Sequence, residues 1–135
     1  MDKLTKLQRS RLMSRIRGSD TAPELAVRKI VRGLGRRPTL NARSVLGKPD
    51  LAWVRRKRAI FVHGCFWHRH PGCRHATTPK SKKAFWNAKF AANVARDRRV
   101  QRKLRMDGWR ILVVWQCRTK RADSLARRIE RFISE

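Results

Sequence analysis

All four histidines of the chain, His63, His68, His70 and His75, fall within thirteen residues and are interleaved with Cys65 and Cys73. Thiolate and imidazole together are the donor set of structural zinc, which takes four N or S ligands in a closed tetrahedron. Cys65-x4-His70-x2-Cys73 offers three donors from one segment, and Cys117 can complete the shell from the end of a later apolar run. His75 competes with His70 for its place, and His68 competes more weakly. The bland alternative is a set of free cysteines and solvated histidines. Three cysteines, an odd number, in a chain with no apolar leader behind Met1 argue against a disulfide framework.

The acids carry the next signal, because there are few of them. Against 36 Lys+Arg stand only 9 Asp+Glu, a formal net charge of +27. Such a surface repels itself and calls for a polyanionic partner, with nucleic acid the leading candidate. An acidic membrane surface fits less well, since the bases are spread over the chain and not gathered on one amphipathic helix. No apolar run approaches the roughly 18 residues of a spanning helix. The chain is expected to be a soluble, intracellular protein, without membrane contact and as a monomer.

Six of the nine acids lie near termini, at helix boundaries or on an exposed helix face, which leaves Glu24, Asp50 and Asp97. Asp50 follows Gly47-Lys48-Pro49 at the mouth of a strand, where a divalent cation could meet a phosphodiester; a turn-forming Asp after Pro is the alternative. Glu24 lies three residues after Thr21, the spacing of a capping box. Asp97 falls on the apolar stripe of a long helix (Trp86, Phe90, Val94, Leu104). It is there either as an inward acid neutralised by an Arg or as the hydrogen-bond partner that fixes a histidine tautomer. If zinc takes His70, His63 and His68 remain near Asp50 as acid–base candidates. Phe66-Trp67, set in an irregular segment of a basic protein, suits a wedge that unstacks bases, and Trp86 is either a core residue or part of that wedge.

The elements that must position these groups follow from periodicity. Residues 1–19 form a basic N-terminal arm with a thin apolar pattern that includes Met13 and Ile16. The spacing of Val27, Ile30, Val31 and Leu34 predicts a helix over 22–34. Three short strands are expected, an edge strand at 36–42 and a hairpin of 50–54 with 58–63. A loop over 64–79 precedes a helix over 80–107, a buried strand over 109–115 and a last helix over 121–134. The order αβββαβα is α/β, a mixed sheet flanked by helices, with 20–135 as a single domain.

Met13-Ser-Arg-Ile-Arg-Gly-Ser-Asp20-Thr-Ala-Pro-Glu24, Gly47-Lys-Pro-Asp50, Phe61-Val-His-Gly-Cys-Phe-Trp-His68, Phe85-Trp86, Asn93-Val-Ala-Arg-Asp-Arg-Arg99 and Gly108-Trp-Arg-Ile-Leu-Val-Val-Trp-Gln-Cys117 resemble, in order, the very-short-patch-repair (Vsr) DNA mismatch endonucleases. The Val-His-Gly-Cys-Phe-Trp-His stretch is the most specific part. The resemblance implies a restriction-endonuclease-like nuclease domain with a zinc-stapled loop. It also implies a Mg²⁺-dependent enzyme that nicks one strand 5′ of the thymine in a T:G mismatch of double-stranded DNA, with mismatch-repair proteins as possible partners. Carried onto matching positions, Asp50 and the Val62 backbone carbonyl hold Mg²⁺. Glu24, His63, His68 and Asp97 complete the catalytic set, with His68 the acid–base group and Asp97 its support. Cys65, His70, Cys73 and Cys117 hold Zn²⁺. Phe66, Trp67 and Trp86 enter beside the mismatch, and Met13 and Ile16 reach the opposite groove. The chain departs from the family pattern in carrying Val62 in place of Thr, Gln116 in place of Glu, and Pro71-Gly72 between His70 and Cys73. Two rivals stand beside this expectation: a less selective nuclease of the same fold, and a zinc-stabilised DNA-binding module without catalysis.

Overall fold

The computed structural model describes residues 21–135. Helix α1 spans Ala22–Gly33, with Pro23 in its first turn and Val27 and Val31 buried one turn apart. It ends where the pattern predicts, in a Schellman closure: the Gly35 N–H donates to the Arg32 carbonyl (2.9 Å) and the Arg36 N–H to the Val31 carbonyl (3.2 Å). Gly35 adopts φ +74°, which a side chain would oppose. The expected capping box does not form, since Thr21 is the N-cap but makes no side-chain cap bond. Glu24 turns instead towards Asp50, which becomes its electrostatic neighbour.

Four strands make one mixed sheet in the order β1 (Thr39–Leu40), β2 (Leu51–Trp53), β3 (Arg58–His63), β4 (Arg110–Trp115). The first two pairings are antiparallel and β3–β4 is parallel. β1 is the edge strand expected, but it is only two residues long: Pro38 cannot donate to a ladder and Asn41 turns into left-handed backbone at φ 47°. The hairpin forms with a 3₁₀ turn at Val54–Arg56, closed by Lys57. Helix α2 runs over Lys83–Met106, shorter at its start than the sequence pattern suggests, and helix α3 over Ala122–Ser134. Segment 64–79 contains neither helix nor strand.

The sheet separates two cores, and strand parity sets what faces each. Leu51, Ile60, Leu112 and Val114 pack with Val27 and Val31 of α1 and with Leu125, Ile129, Phe132 and Ile133 of α3. Ala52, Ala59 and Phe61 face the other way with Leu104 of α2 and Trp109, backed by Val100, Ile111 and Val113. β4 is therefore apolar almost throughout although it lies at the end of the strand order, because its alternate residues serve both cores. Parity continues into the site: Asp50 shares a face with Ala52, and His63 with Ala59 and Phe61, so both belong to the α2 side.

The sequence pattern does not disclose Arg58. It is only 8% exposed, on the α3 side, where its guanidinium donates to the carbonyls of Phe132 (3.0 Å), Ile133 and Glu135. A cation there satisfies the orphan carbonyls at the C-terminus of α3 and faces the negative end of its dipole.

Candidate active site and metal centre

Asp50 leaves β1 for β2 from a constrained turn. Its Oδ2 accepts a hydrogen bond from the Val62 N–H at 2.6 Å, which fixes the carboxyl across the β2–β3 pair. Burial pushes Asp50 up to about 6, against the Val62 hydrogen bond, and the adjacent Glu24 carboxylate adds to the rise. Glu24 also lies 3.8 Å from Arg28, one turn on along α1. Two carboxyls from separate elements thus meet at one end of the sheet.

Facing them is a histidine pair. The rings of His63 and His68 stack in parallel, with centroids 3.9 Å apart and planes 5° apart. His68 Nδ1 lies 2.6 Å from Asp97 Oδ2, a contact that joins the 64–79 loop to the middle of α2. Asp97 is therefore the partner of a histidine, not an acid neutralised by arginine. Burial works against its ionised form, but the hydrogen bond and charge of His68 prevail and hold it below the usual carboxylate range. Burial, reinforced by the neighbouring His68, pushes His63 down to about 4, so its ring is neutral near pH 7. Asp50, Glu24, His63, His68 and Asp97 all line one cleft of about 970 Å³. Its rim also carries Arg43, Lys48 and Arg96, cations that no single motif points to.

Below the histidine pair the loop gathers a second cluster. The donor atoms of Cys65, His70, Cys73 and Cys117 all lie within 4.8 Å of one another. His70 Nδ1 is 3.6 Å from the Cys65 sulfur and 3.5 Å from that of Cys117. A tetrahedral ion with ordinary Zn–S and Zn–N bonds sets its S and N ligands ~3.6 Å apart, so the donors fit that ion in type and in spacing. Burial, with the Cys117 and Cys73 thiols beside it, pushes Cys65 up to about 11. A cation among them is what would let three crowded sulfurs ionise together. His70 also stacks on Trp115 at 4.3 Å, while His75 is exposed and lies outside the cluster.

The aromatics converge at the start of α2. Phe66, Trp67, Trp86 and Phe90 contact one another at centroid distances of 5.0 to 6.5 Å. Phe90 is buried, whereas the other three are half-buried. Arg69 organises the loop around them, and nothing in its sequence context marks it out. Its guanidinium sits 4.0 Å over the Phe90 ring and donates to the carbonyls of Phe66 (3.2 Å), Ala76 (2.8 Å) and Thr77 (2.8 Å). Met13 and Ile16 lie outside the described residues.

Two carboxyls beside a carboxylate-supported histidine, on a cationic rim, suit metal-assisted hydrolysis of a phosphodiester. Comparison with known proteins decides the family. Residues 1–74 match the family model for DNA mismatch endonuclease Vsr. DNA mismatch endonuclease Vsr of Escherichia coli is 38% identical over 133 residues, covering 95% of this chain and 85% of that protein. The chain belongs to the Vsr family. Type II nicking enzyme V.XorIIP of Xanthomonas oryzae pv. oryzae is 40% identical over 132 residues, 98% of this chain and 96% of the relative. Type II nicking enzyme V.NmeAIP of Neisseria meningitidis is 35% identical over 134 residues, 99% of this chain and 95% of the relative. As a Vsr-family member the chain is a DNA endonuclease of the mismatch-nicking kind. No helix among the described residues is long and apolar enough to cross a membrane.

Proposed function

We propose that this enzyme nicks double-stranded DNA on the 5′ side of the thymine in a T:G mismatch, the lesion left by deamination of 5-methylcytosine. Asp50, Glu24 and the Asp97-supported His68 on one cation-rimmed cleft are the observation that carries this reading. The fold would be restriction-endonuclease-like, with residues 20–135 as the nuclease domain and 1–19 as an arm in which Met13 and Ile16 contact the opposite groove. The enzyme would act as a monomer, near the nucleoid and alongside mismatch-repair proteins.

Oxygen donors suit hard Mg²⁺, and Asp50, Glu24 and the Val62 carbonyl supply them. Bound there, Mg²⁺ would stabilise charge developing on the phosphate and ease deprotonation of the attacking water. His68 takes the water proton, while Asp97 holds its Nδ1 and His63 stacks flat against its ring. The water oxygen bonds to phosphorus and the bond from phosphorus to the upstream O3′ breaks. The products are a 3′-hydroxyl, protonated from solvent, and a 5′-phosphate on the thymine. Cys65, His70, Cys73 and Cys117 would hold Zn²⁺ and staple the loop that carries His68. Phe66, Trp67 and Trp86 would enter the stack beside the mismatch, where a T:G pair costs less to open than a matched one.

The test is a nicking assay on two end-labelled duplexes that differ only in T:G against C:G, with Mg²⁺ present. A single nick 5′ of the mismatched thymine is expected. Equal cutting of both duplexes would replace the reading with a less selective nuclease, and binding without cutting would leave a DNA-binding module.

A further inference from the structure

The C-terminal half of α2 carries a charge pattern that the catalytic cleft does not use. Asp97 is the only acid between Lys83 and Met106, and His68 occupies it. Beyond it stand Arg98, Arg99, Arg102, Lys103 and Arg105, all exposed. Among the described residues none of these five makes an ion pair. Arg98 and Arg102 are four residues apart, as are Arg99 and Lys103, while Arg102 and Arg105 are three apart. Like charges at these spacings weaken a helix. The helix dipole favours Lys103 and Arg105 in the last turn, but the repulsion between neighbouring cations is not offset by any ion pair among the described residues.

A second depression, of about 510 Å³, lies along this face, lined by Arg98, Gln101, Arg102, Arg105 and Met106. Gln101 lines this depression and the catalytic cleft alike, so the two are neighbours across that side chain. α2 thus carries three features in order along its axis. Trp86 sits among the aromatics, Asp97 lies ~16 Å further on, and Arg105 another ~12 Å beyond.

We propose that the Arg98–Arg102–Arg105 face is a phosphate track that holds the duplex on the side of the cut away from the mismatch. The proposal rests on the mismatch-nicking reading, because the aromatic end of α2 then marks the mismatch and Asp97 marks the scissile step. The opposite end of the helix therefore lies upstream, 5′ of the nick. The partner is the DNA backbone, recognised by charge without base identity.

The experiment is a cycle of protein variant against duplex truncation. Binding is read with Mg²⁺ left out, and nicking of the same duplexes with Mg²⁺ added. One duplex keeps long flanks, one ends two base pairs upstream of the nick site, and one is shortened equally on the mismatch side. The proteins are wild type, R98Q/R102Q/R105Q, and R98K/R102K/R105K, which keeps the charge. Upstream truncation is expected to weaken wild-type binding and to flatten the slope of log K against log salt by up to ~2.7, about 0.9 for each phosphate removed from the track. The Gln variant should show the flatter slope already and be indifferent to upstream truncation, and the Lys variant should behave as wild type. Thermal melting serves as the folding control, and the Gln variant should melt no lower than wild type. Upstream truncation without effect on wild type would overturn the proposal. So would a Gln variant weakened equally on all three duplexes, or one that matches wild type throughout because the face serves an acidic protein. Failure of the mismatch reading shows separately, as absence of a T:G-dependent nick on the long duplex.

Discussion

Replacing Gly47 by Ala probes the turn that delivers Asp50. Gly47 holds φ +78°, and a Cβ there would lie 2.3 Å from Val100 Cγ1 and 3.4 Å from Phe61 Cε1. Favourable carbon contacts begin near ~3.5 Å, so Val100 would have to withdraw by roughly 1.2 Å. It packs against the second core and sits three residues beyond Asp97, so it is not free to move alone. The left-handed backbone adds roughly 1–2 kcal/mol and overpacking roughly 1–3 kcal/mol, for a total of about 2–5 kcal/mol. V100A alone should cost about 1 kcal/mol, because that side chain is only half-buried. In the double variant the clash disappears and only the backbone strain and the missing methyls remain. G47A/V100A should therefore be less destabilised than the sum of the single variants by roughly 1–3 kcal/mol. Urea unfolding measures all four corners of the cycle. Nicking should fall in G47A and partly recover in the double variant, since Asp50 rides on the same turn. Additivity within about 0.5 kcal/mol would refute the argument that Val100 fills the space a side chain would need.

Three further perturbations test the site and its supports. D97N should keep the shape of the His68 contact but lower kcat by ~100-fold or more with little change in KM, read in single-turnover and steady-state nicking. Asp97 is held below its ordinary value in the fold. The stabilisation it gives is therefore complete above the ordinary carboxylate range and lost as pH falls through the lowered value; the urea midpoints of wild type and D97N should differ at pH 7 and converge in acid. His70→Ala should release the metal and destabilise the protein steeply, whereas His75→Ala should retain one zinc per chain by elemental analysis; equal metal loss in both would break the assignment of His70. R58M should cost roughly 2–3 kcal/mol, measured by denaturant unfolding, because it leaves the carbonyls at the end of α3 without their donor.

Much of this was legible in the chain because its signals are local. The helix at 22–34, the hairpin and the last helix follow from periodicity and breakers, and their observed ends differ by a residue or two. The expected 36–42 strand was overstated, since alternation cannot reveal that Pro38 and the turn at Asn41 leave room for two paired residues. The capping box failed for a related reason: Thr21-x-x-Glu24 is a local signal, and the neighbouring Asp50 is a long-range competitor. Asp97 was visible as an oddity, a charge on an apolar stripe, but only the folded loop chooses His68 over an arginine as its partner. The Cys65-x4-His70-x2-Cys73 spacing favours His70 and leaves His75 as a competitor, and the folded loop brings His70, not His75, among Cys65, Cys73 and Cys117. Arg58 and Arg69 carried no signal, for in a chain with 36 basic residues a single buried arginine is hidden among the exposed ones.

The same composition explains why the acids were informative and why their charge is still not neutralised by the surface. A net charge of +27 would by itself favour ionised carboxyls everywhere, yet Asp50 is pushed up to about 6. The two facts agree once distance is considered. Exposed arginines more than a Debye length away, ~8 Å at physiological salt, are largely screened, and the nearer cations, Arg43, Lys48 and Arg96 on the rim and Arg28 beside Glu24, do not outweigh the burial of Asp50. Burial and the Glu24 carboxylate act at contact, where water is thin and screening weak. The basic surface can therefore gather DNA from solution without settling the charge inside the cleft. Two carboxyls held together in a half-buried cleft, one of them beside Arg28, are an arrangement that suits a divalent cation. The charge of this protein works on two length scales: a diffuse one that attracts the duplex, and a contact one, built from Glu24 and Asp50, that a divalent ion would complete.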